Sequence, residues 1–246
     1  MNDQSTPSDD GLQRYTQLRA FCVRIGLDPT NSPNEQRTLN LIDEALTHTS
    51  TGLSKHHERL EFLGDAVLRL AASEYIEKKH QQLSVGDRSA LRSQLVSDRW
   101  LATVGQIDAI DSVQRIGEKA KGDTSARATL LAEGTEALIG AIYQGWNSLK
   151  PVHQWLGPHW EKTASAVLAD PHRGNSKSAL QEWSQGQGQG LPSYNSSEIS
   201  KRHGDPRRFR CTVTLPPTIN AEGWGRSRRE AEQQAARNAL NELTGS

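Results

Sequence analysis

Two short acidic segments of the sequence have residue types and spacings that could hold a metal ion. In HHERLEFLGDAV, Glu58, Glu61 and Asp65 are three and then four residues apart, so on a helix they share a stripe within an arc of about 60°. The main apolar residues of this segment point to another side of the helix. The three acids are therefore either metal ligands or part of a solvated face.

The second segment places two acids at the start of an apolar helix. Glu133 and Glu136 precede ALIGAIY, which is apolar on every side and is typical of a buried helix. An ionised carboxylate in such surroundings is unfavourable unless it is paired or binds a cation, and few basic residues lie nearby in the sequence. Either these glutamates only stabilise the positive end of the helix dipole, or they bind a hard cation.

The ligand types in these segments indicate which metal they would bind. Carboxylates without Cys or His favour Mg²⁺, or Mn²⁺ as a substitute, over zinc. Such ions suit phosphodiester hydrolysis, because they help to generate the attacking hydroxide and stabilise charge on the attacking and leaving oxygens. His56 and His57 adjoin the first acids, and we interpret them as surface groups or as groups behind the ligands. We expect no small-molecule cofactor.

The elements that position these acids are expected to be helices. Leu, Ala and Val recur at helical spacing from about residue 11 to residue 168, and no alternation typical of strands interrupts them. We predict a disordered tail over 1–11 and an all-α domain over 12–168. The segment ADPHRGNSKS predicts a linker over 169–175.

The C-terminal part of the sequence has a different pattern. After a short helix at SALQEWSQ, the segments SYNSSEIS, RFRCTVTL and INAEGWGRS are typical of strands separated by turns. A final helix is predicted at SRREAEQQAARNALNELT. The region 176–246 is therefore predicted to be a small α+β domain with the element order α-β-β-β-α.

Charge is distributed unequally between the two predicted domains. The whole chain has a formal net charge of zero, but residues 172–246 contain 11 Lys and Arg against 7 Asp and Glu, which leaves 18 and 22 for the rest. This asymmetry suggests a basic binding module attached to an acidic, metal-binding one.

Cysteine spacing and the N-terminal segment bear on the cellular compartment. Cys22 and Cys211 are far apart, so neither a disulfide framework nor a zinc site is indicated. The N-terminus, MNDQSTPSDD, lacks the features of a signal peptide, and no stretch has membrane-spanning length. We expect a cytoplasmic protein with free thiols and no membrane partner.

A second candidate site lies at the start of the last helix. Ser227 and Glu230 have the S-x-x-E spacing of a capping box, and Arg228 and Arg229 fall in the first helical turn. Free N–H groups, the helix dipole and two guanidinium groups all favour phosphate there. The alternative is that both arginines are ordinary solvated residues.

The acidic segments resemble those of a known family. HHERLEFLGDAVL is similar to ERLEFLGDA, the hallmark of the ribonuclease III family; LLAEGTEALIGAIY resembles its second acidic helix, and ALTHTS its upstream helix. The resemblance implies that Glu61, Asp65, Glu133 and Glu136 bind metal, with Asp65 and Glu136 as the catalytic residues. Glu133 stands where bacterial members usually have Asp, and Glu58 has a less direct role.

The same resemblance implies an assembly and a reaction. It implies a homodimer in which the hallmark helices meet, and Phe62 is either a dimer contact or ordinary core. Each subunit would hydrolyse one strand of double-stranded RNA and leave 5′-phosphate and 3′-hydroxyl ends with a short 3′ overhang, in the processing of ribosomal RNA precursors and other structured RNAs such as mRNA. Two alternatives remain: a non-catalytic RNA-binding protein that kept the fold, and a helical scaffold with solvated acids.

The C-terminal domain resembles the double-stranded-RNA-binding domain in the order and spacing of SKSALQEWSQ, RFRCTVTL and GWGRSRREAEQQAARNAL. By this resemblance, Arg228 and Arg229 contact phosphates, and Gln181 and Glu182 touch ribose hydroxyls in a minor groove. Such domains recognise the shape of the duplex over about 16 bp.

A further RNA contact is implied for the loop KRHGDPRRF. The family's usual histidine position falls on Asp205, and His203 lies two residues earlier. Because of this offset, we expect the loop either to differ in conformation or to make weaker minor-groove contacts, with His203 as a candidate RNA-binding residue. Arg207 and Arg208 either contact phosphates or are charges at the edge of a strand. Trp183 and Trp224 are expected in the core.

Overall fold

The computed structural model describes residues 9–123, 126–170, 175–202, 205–215 and 219–244. Contacts between Cα atoms divide the chain into two compact units, 1–165 and 166–246. Four residues of the predicted linker, 171–174, lie outside the described residues.

The first unit is helical, as the sequence predicts. Among its described residues there is no strand, and an isolated parallel bridge joins Thr47 to Arg115. Short 3₁₀ turns lie at Pro29–Asn31, Thr49–Thr51 and Ile110–Ser112. The α-helices are α1 (Asp9–Arg24), α2 (Glu35–Ala45), α3 (Glu58–Lys79), α4 (Val85–Leu95), α5 (Asp98–Ile107), α6 (Glu118–Lys121), α7 (Arg127–Trp146) and α8 (Lys150–Ala169), the last of which crosses the division between the units.

The first helix begins earlier than the sequence analysis expects. α1 starts at Asp9, within the predicted 1–11 tail, and residues 1–8 lie outside the described residues. The predicted tail is therefore too long at its C-terminal end.

Helix α7 forms the centre of the first unit, and α3 crosses it in direct backbone contact. From Ala137 to Ile142 every residue of α7 is buried, as the apolar segment predicts. A Cβ atom at Gly64 of α3 would lie 1.9 Å from the backbone oxygen of Glu136, and one at Gly140 would lie 2.2 Å from the backbone oxygen of Leu60. Only glycine allows this approach, which brings the acids of the two helices together.

The second unit has the predicted order α-β-β-β-α. Its elements are α9 (Ser176–Gly186), β1 (Ser193–Glu198), β2 (Phe209–Leu215), β3 (Ile219–Gly225) and α10 (Arg228–Thr244). The strands form an antiparallel sheet in the order β1-β2-β3. The side chains that alternate toward one face of the sheet pack against the helices in a core that includes Leu180, Cys211, Val213, Leu215, Ala235 and Ala239.

Both cysteines are free thiols, as expected, and both are buried. Burial raises the pKa of the Cys22 thiol to about 12, so this group is an uncharged core residue. None of the helices in the described part of the chain is both long and apolar enough to cross a membrane.

Candidate active site and RNA-binding surface

An acidic depression of about 410 Å³ lies on the first unit. Helices α3, α5 and α7 all contribute side chains to it. Four acids that the sequence analysis proposed come together here, and a fifth, from α5, joins them. The depression is lined by Glu58, Glu61, Phe62, Asp65, Asp98 and Glu136.

Glu136 has the most perturbed acid group of the depression. Burial raises the pKa of its carboxyl to about 7, and the charges of Asp65, Glu61 and Asp98 add to this effect, while Arg69 opposes it. A group placed in this way is partly protonated near neutral pH, and its ionised form gains from a cation. The surroundings of Glu136 therefore favour a bound metal ion over a simple helix-end role.

Asp65 faces the depression from the more exposed side of α3. Its carboxylate accepts a hydrogen bond of 2.7 Å from Nε of Arg69, one turn later on the same helix. Both side chains are about half-exposed, so the ion pair contributes no more than about 1 kcal/mol. Asp65 can therefore also bind a metal ion, because weakening its ion pair with Arg69 costs little free energy.

Glu61 and Glu58 differ in their surroundings although both lie at the start of α3. The pKa of Glu61 is raised by burial and then by the charges of Glu133, Glu58 and Asp98. The side chain of Glu58 is 61% exposed, and its nearest basic group is Nδ1 of His56, 3.9 Å away. Glu58 is thus far more exposed than Glu61, and its less direct role stays a prediction.

Glu133 is not among the residues that line the depression. Its carboxylate faces two imidazoles instead: Nε2 of His48 lies 3.4 Å away and Nε2 of His57 lies 3.9 Å away. His57 is only 3% exposed, so its interpretation as a surface group is wrong. Its burial supports the alternative, a group behind the ligands. The chain reverses after α2, which brings His48 next to the start of α3.

Asp98 is the acid that the sequence analysis missed. The hydroxyl of Ser97 accepts a hydrogen bond from the backbone N–H of Trp100 and so begins α5, which makes Asp98 look like an ordinary acid in a first helical turn. The position of Asp98 beside the other acids depends on the close packing of α5 on α7. A Cβ atom at Gly105 of α5 would lie 2.6 Å from Oγ1 of Thr135 on α7. No local pattern in the sequence indicates that contact.

The second unit brings together part of the predicted RNA-binding set. Gln181 of α9 and Arg229 of α10 line the same depression, of about 530 Å³. Glu182 and Arg228 are exposed. The backbone N–H of Glu230 donates to Oγ of Ser227, as the predicted cap requires, and the Glu230 carboxylate accepts a hydrogen bond from the N–H of Arg226.

The loop before β2 is organised by Asp205. Its carboxylate accepts a hydrogen bond of 2.8 Å from the backbone N–H of Arg207, and its carbonyl accepts one of 3.1 Å from the N–H of Arg208. The guanidinium group of Arg208 lies 2.9 Å from the carboxylate of Glu198 on β1. This ion pair fits the alternative in which Arg208 is a charge at the edge of a strand. His203 lies outside the described residues.

The two tryptophans of the second unit have different environments. Trp183 packs against the core as expected, but the expectation for Trp224 is wrong. It lies on the open face of the sheet, because its neighbours Gly223 and Gly225 face the helices. The guanidinium groups of Arg207 and Arg210 lie 5.4 and 5.8 Å from its ring centre, close enough for cation–π interactions.

Comparison with known proteins agrees with this two-part organisation. Residues 39–151 match the family model described as Ribonuclease-III-like, and residues 176–243 match the double-stranded RNA binding motif. Ribonuclease 3 of Prochlorococcus marinus is 57% identical over 211 residues, which cover 86% of this chain and 85% of that protein. The chain belongs to the ribonuclease III family. A second relative, Ribonuclease 3 2 of Synechocystis sp., is 38% identical over 94% of this chain and 93% of its own length.

A solved structure agrees with the fold of this ribonuclease III chain. The nuclease domain of ribonuclease III from Campylobacter jejuni matches with a TM-score of 0.50 and 27% identity, over 62% of this chain and 97% of that one. With its nuclease unit and its RNA-binding unit, the chain is a double-stranded-RNA endoribonuclease. The two alternatives, a non-catalytic RNA-binding protein and a helical scaffold, are therefore set aside.

Proposed function

We propose that this ribonuclease III hydrolyses phosphodiester bonds of double-stranded RNA with Mg²⁺, for which Mn²⁺ can substitute. The observation that carries the proposal is the convergence of five carboxylates from α3, α5 and α7 on one depression, where burial and neighbouring charges raise the pKa of Glu136 to about 7. The donor set fits a hard cation because the depression offers carboxylate oxygens from three helices. Magnesium at this place would activate water for attack and stabilise negative charge on the phosphate.

The side chains divide this work according to their burial. Asp65 and Glu136 are proposed as the catalytic ligands, since they face each other across the contact of α3 with α7 and their charges act on one another. Glu61 is proposed as a third metal ligand from the same stripe, and Glu133, which faces the two histidines, as a fourth. Glu58, being mostly exposed, contributes only negative potential.

Phe62 supports a proposed homodimer. Its side chain is 85% exposed beside the acids, so the alternative of ordinary core packing is wrong. A large aromatic side chain in this position suits a protein interface, and the structure from Campylobacter jejuni is described as having a region involved in dimer formation in its nuclease domain. We propose that two chains pair through α3 around Phe62, so that each cuts one RNA strand.

The RNA contacts are proposed on the exposed polar side chains of the second unit. Arg228 and Arg229 at the start of α10 would bind phosphates, and Gln181 and Glu182 on α9 would reach ribose hydroxyls. Additional contacts are proposed for the loop residues His203, Arg207 and Arg208. The proposed substrates are ribosomal RNA precursors and other structured RNAs, including mRNA.

A cleavage assay with mapped ends tests this proposal. A long RNA duplex incubated with the full chain and Mg²⁺ should yield fragments with 5′-phosphate and 3′-hydroxyl ends and a short 3′ overhang, and chelation of the metal should stop the reaction. Intact RNA under these conditions would refute the proposed chemistry. Blunt ends would refute the proposed pairing of two active sites while leaving the hydrolysis itself in place.

A further inference from the structure

Two histidines lie in contact behind the acidic depression. The rings of His48 and His57 are stacked, with their centres 4.7 Å apart and their planes 18° apart. The side chains are 16% and 4% exposed. Nε2 of His57 lies 3.3 Å from a carboxylate oxygen of Glu61, and Nε2 of His48 lies 3.4 Å from one of Glu133. Each imidazole therefore turns Nε2 toward the acids, and the nearest carboxylate is Glu61 for His57 and Glu133 for His48.

The other ring nitrogen determines which tautomer each histidine adopts. Nδ1 of His48 accepts a hydrogen bond of 3.0 Å from the backbone N–H of Ser50, and Nδ1 of His57 accepts one of 3.3 Å from the backbone N–H of Thr49. A backbone N–H can only donate, so Nδ1 carries no proton in either ring. In a neutral imidazole the proton then resides on Nε2, the atom that faces the carboxylate.

The hydroxyl of Ser50 strengthens this assignment for His48. Its oxygen accepts a hydrogen bond of 2.9 Å from the backbone N–H of Gly117 and lies 2.7 Å from Nδ1 of His48. Its oxygen accepts the hydrogen bond from Gly117, and the hydroxyl hydrogen is available for donation to Nδ1 of His48. That nitrogen consequently receives two donors, which leaves no room for a proton of its own.

These tautomers disfavour a different use of the same residues, as ligands of a metal ion. One ligand atom from each of His48, His57 and Glu133 lies within 4.8 Å of the others, a spacing that could suit a metal ion. A metal bound at Nε2 requires that nitrogen to be unprotonated, which would move the proton to Nδ1 and set it against a backbone N–H. The backbone of Thr49–Thr51 thus favours Nε2–H donors over Nε2 ligands.

We propose that His48 and His57 are positioning residues, whose Nε2–H groups hold the Glu133 and Glu61 carboxylates in place for metal binding. This inference rests on the metal-dependent site proposed above. Outer groups that orient ligands typically change metal affinity or activity by about 10- to 100-fold when they are removed. The extra methylene of Glu133, relative to the Asp usual in bacterial members, extends its carboxylate, which here lies within 3.4 Å of His48.

Metal affinity in matched variants of the full chain tests this role. His57→Leu and His48→Leu remove the donor, whereas His57→Gln and His48→Gln keep an N–H near the position of Nε2. We expect the leucine variants to bind Mn²⁺, followed by electron paramagnetic resonance of the free ion, about 10- to 100-fold more weakly, and the glutamine variants to recover most of that loss. His153→Leu is the control, because it removes a similar His–Glu pair, 2.8 Å from Glu74, away from the depression.

A second measurement on the unmodified chain does not depend on whether the variants fold. Nitrogen-15 chemical shifts of the two imidazoles should report a proton on Nε2, both without and with Mg²⁺. A proton on Nδ1, or a shift typical of a metal-bound Nε2, would overturn the inference, as would wild-type Mn²⁺ affinity in both leucine variants. If the wild-type chain bound no Mn²⁺ and cut no RNA, the proposed function would fail first and this inference with it.

Discussion

The acidic depression of the first unit and the basic surface of the second unit differ in how their charges are placed. Glu61 and Glu136 are partly buried among like charges, and burial is the first cause of the raised pKa of each. Arg228 and Arg229 are exposed at the start of a helix. Close backbone packing therefore holds the acids in an electrostatically unfavourable arrangement, in which the charge of each acid affects the others. The exposed arginines contribute to binding separately, and salt weakens their contributions.

Removal of a ligand charge from the depression should have the largest effect. Asp65→Asn and Glu136→Gln are each expected to reduce the rate of duplex cleavage by about 10³-fold or more, because a bound metal supplies several kcal/mol of charge stabilisation. Binding of the duplex, measured by gel shift in Ca²⁺, should remain. Glu242→Gln, an exposed acid of α10, is the matched control. Cleavage near the wild-type rate in either ligand variant would contradict the assignment.

A second prediction separates the packing of the acids from their charge. Gly64→Ala places a methyl group 1.9 Å from the backbone oxygen of Glu136, and we expect it to lower the free energy of unfolding by about 3 kcal/mol or more. Thermal unfolding followed by circular dichroism measures this change. Gly86→Ala is the control, since its Cβ would meet only Oγ of Ser84 at 3.8 Å, and it should cost no stability. Equal melting temperatures of the two variants would mean that the fold does not require close contact between α3 and α7.

Substitution of Arg228 and Arg229 should have a smaller effect on duplex binding, and this effect should not depend on the RNA sequence. Arg228→Ala combined with Arg229→Ala should weaken duplex binding on the order of tenfold and reduce the slope of log affinity against log salt by about 2. The loss should be similar on unrelated duplexes. The pair of lysine substitutions keeps both charges and should keep the slope. Loss on one sequence alone would argue against recognition of shape.

The smallest effect concerns pH and folding of the metal-free chain. Because the pKa of Glu136 is raised from its ordinary value to about 7, the folded state binds more protons than the unfolded state between these values. Stability should therefore fall as pH rises toward 7. Glu136→Gln should remove this part of the pH dependence in thermal melts. An unchanged pH profile in Glu136→Gln would show that Glu136 ionises normally.

Much of the fold could be predicted from the sequence because it depends on local periodicity. The apolar run after Glu136 predicted a buried helix, and α7 is buried there. The alternation in RFRCTVTL predicted a strand with one covered face, which β2 has. The stripe of Glu58, Glu61 and Asp65 predicted that these acids share a surface, since three- and four-residue spacing fixes the direction of side chains on any helix.

Local spacing along the chain was enough to predict its two-part order, the helical stripe of acids and the cap before Arg228. Which other groups reach the acids depends on how the helices pack. Asp98 enters from α5 and His48 from the turn after α2, and Glu133 faces histidines outside the lining of the depression. Residue spacing along the sequence determines which side chains are neighbours on one helix. Contacts between helices depend instead on how closely their backbones approach. Here the contact of α3 with α7, at Gly64 and Gly140, brings the acids of these two helices together.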